Sequence, residues 1–303
     1  MNSWNLAYGT IFKPIRTFAK YFFSWIYPIF IRIYPLPKIA TIEETIDKLI
    51  LEKCSICRFG DGELLFITKK RSLPFQRQDE QLRQRFIEIL KSNNTNILVG
   101  LPIGFQTLKN LKQDVKLTWQ AIVVWTYPGI RKYLDIKKQY YNASITRLYM
   151  GFEDTSDATR LFKKVRSIWN QRDIVLIEGE KSRLGVGNDL FENADSVKRI
   201  LAPAHHAYSK YNEIMQEAEK HPGTSLILVA LGPTAKPLVY DLAQRGFQAI
   251  DIGNLDTEYE WFRMGATSII KIKGKYTSEA KNGREVEDVF DEKYLNEIIS
   301  KIL

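Results

Sequence analysis

Histidine and cysteine are scarce in this chain of 303 residues: the histidines are His205, His206 and His221, and the cysteines are Cys54 and Cys57. The cysteines form one C-x-x-C with no second pair to complete a four-cysteine zinc site, and they are too few for a disulfide framework. Reduced thiols packed at a helix-to-strand junction follow, and with them a cytosolic compartment. Acidic residues are absent from the first 40 positions, where Lys13, Arg16, Lys20, Arg32 and Lys38 supply more than half of the formal net charge of +9. Such an uneven excess argues against nucleic acid as the partner, which favours a broadly basic face. A membrane-length apolar run is also missing: the uncharged part of the aromatic tract, Tyr21 to Ile31, has 11 residues, where a spanning helix needs roughly 20. A secretory signal fits poorly, because Tyr34-Pro35-Leu36-Pro37 stands where a small-residue cleavage site belongs. Internal repeats and low-complexity segments are lacking as well.

What the sequence does have is 45% hydrophobic residues, enough for a sizeable core. Residues 11–36 interleave aromatic and aliphatic side chains with Lys13, Arg16, Lys20 and Arg32. This pattern predicts an in-plane anchor on an anionic membrane surface, rings at headgroup level and cations on lipid phosphates. The plainer reading is an extra helix packed on the globular domain or on a second subunit. The predicted organisation is therefore a membrane-associating segment at 1–38 and one domain at 39–303.

From Thr41 the pattern becomes α/β. Thr41 and Glu44 form a capping box ahead of a helix carrying Ile46, Leu49 and Ile50. A strand is expected over 55–59, a helix over 79–93, a strand over 96–100 ended by Pro102, and helix over 105–140 with a break at Pro128-Gly129. Strands at 173–178, 197–201, 225–231 and 247–252 then alternate with helices at 205–219 and 234–245. The charged stretch 273–291 reads as a surface excursion before a closing helix. Alternation of this kind implies a Rossmann-like, mainly parallel sheet with helices on both faces, and ligands at the carboxyl ends of its strands.

The chemistry-bearing motifs sit at those strand ends. Arg58-Phe59-Gly60-Asp61-Gly62-Glu63 places two carboxylates one residue apart between glycines. On extended backbone Asp61 and Glu63 would share a side and suit Mg²⁺ or Mn²⁺ held on a diphosphate. Arg58 offers a fork to a phosphate or to a carboxylate. The loop after the 173–178 strand gathers Glu180, Lys181, Arg183, Gly185, Gly187 and Asn188, allowing close backbone approach beside cations, although the G-x-x-x-x-G-K-[ST] spacing is absent. Leu231-Gly232-Pro233-Thr234-Ala235 turns from the most apolar strand into a helix, with a hydroxyl at the positive helix end. Asp251-Ile252-Gly253-Asn254-Leu255-Asp256 closes the next strand with acids that suit a ribose hydroxyl or a base. His205-His206 opens a helix with no acid nearby in sequence, which reads as a surface or packing role.

In this order the set of motifs, with Asp61 and Glu63 as the Asp-x-Glu pair, resembles the GT-D fold glycosyltransferases over roughly residues 42 to 270. The resemblance implies a metal-dependent transfer of a sugar from a nucleotide diphosphate donor, UDP-glucose or a related UDP-sugar, to a glycan acceptor. It also implies a place in bacterial surface polysaccharide or glycoprotein glycan assembly. The chain departs from the family pattern at Asn254, where a His is expected, and at Arg147-Leu148-Tyr149, where Arg-Pro-Tyr is common.

The expectations are then concrete. Asp61 and Glu63 hold Mn²⁺ or Mg²⁺; Arg58, Gly60, Gly62, Arg183, Gly185, Gly187, Asn188, Gly232, Pro233, Thr234 and Asn254 cradle the donor. Glu180, Asp251 and Asp256 are the candidates for a base. The enzyme is expected in the cytoplasm at the inner membrane face, acting on a glycan or lipid-linked glycan, with a homodimer as the default assembly. The rival readings are an S-adenosylmethionine-dependent methyltransferase and a noncatalytic partner in a glycan-assembly complex.

Overall fold

The computed structural model describes residues 13–69, 72, 73, 76–288 and 290–303; the first 12 residues of the proposed anchoring segment lie outside them. Among the described residues nine strands form one sheet: β1 (Lys38–Ile39), β2 (Ser55–Arg58), β3 (Ile97–Leu101), β4 (Gln139–Asn142), β5 (Asp173–Gly179), β6 (Ser196–Ala202), β7 (Leu226–Ala230), β8 (Gln248–Asp251) and β9 (Ile298–Lys301). Their order is β1-β4-β3-β2-β8-β7-β5-β6-β9, and every pairing is parallel.

The helices are α1 (Lys13–Ile33), α2 (Ile42–Leu51), α3 (Asp61–Ile67), α4 (Glu80–Lys91), α5 (Gln113–Ile130), α6 (Ala158–Arg166), α7 (Tyr211–Glu219), α8 (Ala235–Gln244), α9 (Leu255–Arg263) and α10 (Glu292–Glu297). They cover both faces, and the strands alternate between two cores accordingly. Cys57, Val99, Val175, Ile177, Ile227 and Val229 point to one core, and Ile56, Leu98, Ile174, Leu176, Leu226 and Leu228 to the other. Burial on both faces is why β5 and β7 read as unbroken apolar runs. Cys54 and Cys57 are buried free thiols, and burial holds the Cys57 pKa well above the ordinary thiol value.

The capping box predicted at the start of α2 is present: Thr41 Oγ1 accepts from the Glu44 amide, and Glu44 accepts from the Thr41 amide. Three expectations need correction. Helix over 105–140 is instead α5 followed by β4, which pairs with β1 and β3. The predicted break at Pro128-Gly129 lies inside α5, where Gly129 serves a close approach, since a Cβ there would stand 2.7 Å from the Thr68 methyl. The last strand, β9, was not anticipated; it adds to the edge at β6. Helix α1 packs its inner side, through Phe23, Ile26, Tyr27 and Phe30, into the core shared with α5, and no helix among the described residues is long and apolar enough to cross a membrane.

Candidate active site

Strand β5 leads to β6 on one side of it, whereas its other neighbour, β7, leads away to β8. Where connections leave adjacent parallel strands in opposite directions, a crevice opens at their carboxyl ends. A cleft of about 890 Å³, open solvent at its mouth included, lies there. Gly179 and Ser182 line it from β5, Pro203 and Ala204 from β6, Ala230 to Thr234 from β7, and Gly253, Asn254 and Thr257 from β8. The stretch Tyr276 to Glu279 closes one wall, and Gln76 and His206 complete it.

Two glycines shape the floor by conformation. Gly232 has φ +52° and Gly253 has φ +39°, backbone that side-chain-bearing residues rarely adopt. A Cβ on Gly253 would also stand 2.2 Å from the Arg58 guanidinium. Residues Gly232 to Thr234 form a single tight turn into α8, with Pro233 in the position where its missing N–H costs nothing. Asn254, at the same level, donates through Nδ2 to Glu279 at 2.7 Å.

Beneath this floor lies a compensated ionic network. Arg58 donates to the Asp251 carbonyl at 2.5 Å and to Asp251 Oδ1 at 2.9 Å, and to Ala143 O and Thr146 Oγ1 at 2.9 and 2.5 Å. Four of its five N–H groups are thus engaged inside the protein. Lys236, on α8, stands 2.8 Å from Glu63 Oε1 and 3.4 Å from Asp251 Oδ2. Burial opposes the Lys236 ammonium, but the Asp251 and Glu63 carboxylates outweigh it and hold its pKa above the ordinary lysine value.

Asp61 and Glu63 therefore part company. The backbone turns helical at Asp61, so residues two apart point to nearly opposite sides, about 200° around the axis. Gly60 is the N-cap and has no side chain to satisfy the helix start; Glu63 Oε2 accepts its amide at 2.8 Å. Glu63 is buried with both oxygens engaged, while Asp61 is exposed at the first position of α3. Gly62 packs on Leu73, whose methyl would lie 2.8 Å from an added Cβ. The expected two-carboxylate metal cradle is not formed, and no group of three or more His, Cys, Asp or Glu suited to a metal occurs among the described residues. What fits the donor set is a cation that takes one carboxylate, Asp61, and completes its shell with phosphate oxygens and water, as Mg²⁺ commonly does.

The glycine loop after β5 also faces inward. Arg183 is buried and donates to the Gly274 and Glu287 carbonyls at 2.7 and 2.8 Å. Gly185 N–H and Asn188 Nδ2 donate to Asp256 Oδ1 at 2.9 and 2.7 Å, and Lys275 pairs with both Asp256 and Glu260 at 2.8 Å. Asp256 thus ties the loop to α9. Gly185, Gly187 and Asn188 line a second groove with Arg199, Arg263 and Tyr294 rather than the cleft. Glu180 is exposed just beyond β5.

Several residues of the site escaped the sequence reading. Lys236 is a single lysine in an apolar helix, with no local sign of its two distant partners. His206, expected in a surface or packing role, lines the cleft, has φ +57° and accepts the Arg77 amide on Nδ1 at 3.4 Å. Arg147 forks onto Glu279, at 2.9 Å on Oε2, and lies 3.5 Å from the buried Glu258. Burial works against the Glu279 charge, yet Arg147 and Asn254 hold its pKa below the ordinary 4.5. A carboxyl whose folded pKa is depressed adds stability above its unfolded value and loses it as pH falls through the folded one. Wild type and Glu279→Gln should therefore differ in Tm at neutral pH and converge below about pH 4.5; a gap that persists in acid contradicts the pairing.

The profile of the family described as "Glycosyltransferase GT-D fold" matches residues 56–280. "Glycosyltransferase GlyD" of Streptococcus pneumoniae serotype 4 is 39% identical over 273 residues, covering 88% of this chain and 33% of that protein. The chain thus spans about a third of the length of that curated relative. Among solved structures, "A New Glycosyltransferase (DUF1792) from Streptococcus sanguinis" superimposes with a TM-score of 0.84 at 35% identity, over 88% of this chain and all of that one (100%). "The highly conserved domain of unknown function 1792 has a distinct glycosyltransferase fold" does so at 0.81 and 36% identity, over 88% and 96% of the two chains.

Proposed function

The chain belongs to the GT-D glycosyltransferase family, and from that premise we propose that it transfers a sugar from a UDP-sugar, seated in the cleft at the ends of β5, β7 and β8, to a glycan acceptor. The observation that carries this reading is the coincidence of the cleft with the switch point of the sheet, floored by Gly232-Pro233-Thr234 and Gly253-Asn254. The open turn at Gly232 and the amides at the start of α8 suit a diphosphate. The acceptor hydroxyl attacks the anomeric carbon, a new C–O bond forms, and the bond to the diphosphate breaks. Of the three acids considered as base, Asp251 and Asp256 are buried in ion pairs, and Glu180 is exposed one residue beyond Gly179 of the cleft wall; a direct displacement would draw on Glu180 only with the acceptor bound at the cleft mouth. A divalent cation, Mn²⁺ or Mg²⁺, would be held by Asp61 and would neutralise charge on the departing diphosphate. The acceptor is a glycan of a bacterial surface polysaccharide or glycoprotein, free or lipid-linked, and the work is done in the cytoplasm.

A thermal-shift panel of UDP, UDP-sugars, GDP-sugars and S-adenosylmethionine, with and without Mn²⁺, tests it. A ligand at about 100 times its Kd adds roughly 2.7 kcal/mol. Cation-dependent stabilisation by a UDP-sugar is the expected result; stabilisation by S-adenosylmethionine alone favours the methyltransferase, and silence throughout favours a noncatalytic partner.

A further inference from the structure

Helix α1 has two apolar faces and buries one of them. Phe23, Ile26, Tyr27, Phe30 and Ile31 turn into the core against α5. On the outward face, Phe18, Tyr21, Phe22, Trp25, Ile29 and Ile33 recur at helical spacing and are exposed, Phe18 by 73% and Trp25 by 74%. An aqueous helix has no reason to carry six large apolar side chains on its wet side. The charge beside them has one sign. Arg32 is exposed on α1, Arg131 lies over the ring of Tyr34, just past the helix end, at 5.0 Å, and Lys132 follows it, exposed. Lys20 reaches from α1 to the Asp114 carbonyl at 2.8 Å. No acid stands on α1 itself.

We propose that the outward face of α1 lies in the plane of an anionic lipid surface, with Phe18, Phe22, Trp25 and Ile29 at the acyl boundary and the flanking cations on headgroup phosphates. Aromatic rings together with cations on an in-plane helix are what the interface of an anionic bilayer accommodates. A second copy of the chain is the weaker occupant. A two-fold contact would set α1 against itself, bringing its cations together with no acid on the helix to pair them. The inner face stays packed on α5, so the catalytic domain is held rigidly against the membrane plane, and the inference stands whether or not the cleft takes a UDP-sugar.

The test is co-sedimentation of the full chain with vesicles of phosphatidylcholine, with and without phosphatidylglycerol, at low and high salt. The wild type should pellet with the anionic vesicles and be released by salt. The double variant Phe18→Ser/Trp25→Ser should bind at least about tenfold more weakly with an unchanged Tm, since both side chains are exposed. Three results overturn the proposal: a wild type that stays in the supernatant with both vesicles, a variant that pellets as well as the wild type, or a wild-type dimer that the variant splits in the absence of vesicle binding.

Discussion

Lys236→Met will lower stability by about 3–5 kcal/mol, the range for removing one partner of a buried ionic network. Lys236 is the cation between Glu63 and Asp251, at 2.8 and 3.4 Å, and its removal leaves Asp251 with Arg58 and strands the buried Glu63 carboxylate without a counter-charge. Domains of this kind hold about 5–15 kcal/mol in total, so the loss will appear as a fall in Tm on the order of 10 °C. Methionine fills similar space, which isolates the charge from the volume. Adding Glu63→Gln to Lys236→Met removes one stranded charge, and the double variant should be more stable than the sum of the two single losses. Additive losses in that cycle, measured by urea or thermal unfolding, would mean that the two residues do not act as a pair.

The second large effect separates Asp61 from Glu63. Asp61→Asn changes an exposed side chain at the start of α3, where an ionic contact is worth about 1 kcal/mol or less. Its loss of stability should be well below that of Lys236→Met, while sugar transfer falls by about 100-fold or more, the cost of losing a charge that stabilises the departing diphosphate. It should also need more Mn²⁺ for half-maximal rate. Glu63→Gln should lose about 2 kcal/mol of stability, because an ionic hydrogen bond to buried Lys236 is removed, and any rate that remains should show the Mn²⁺ requirement of the wild type. A two-ligand cradle predicts the opposite for Glu63: a raised cation requirement in a fold of normal stability. Kinetic titration of Mn²⁺ against both variants, alongside their melting curves, decides between the two.

The parallel sheet was legible in the sequence because Ile174 to Ile177 and Leu226 to Val229 are continuous apolar runs flanked by helical periods, and because Thr41 and Glu44 announce α2. The strands that were missed, Lys38 to Ile39, Gln139 to Asn142 and Ile298 to Lys301, are short, partly polar and near the sheet margins, so they lack that signal. The site was legible as a set of strand ends and opaque as a set of contacts. Gly232, Gly253 and Asn254 could be named from their place after strands. That Arg58 would bond Asp251, 193 residues away, or that Lys236 would take Glu63, depends on how β2, β8 and α8 pack. The Asp-x-Glu spacing was read on extended backbone, whereas Gly60 starts a helix there and turns Glu63 inward to cap it.

The central claim is that the donor occupies the cleft at the β5, β7 and β8 ends. Hydrogen exchange with and without saturating UDP and Mn²⁺ tests it most directly. Slower exchange at residues 179–184, 230–234, 253–257 and 276–279, with the groove around 185–192 and 291–297 unchanged, is the predicted footprint. Protection confined to that second groove, or none at the strand ends despite binding, would contradict it.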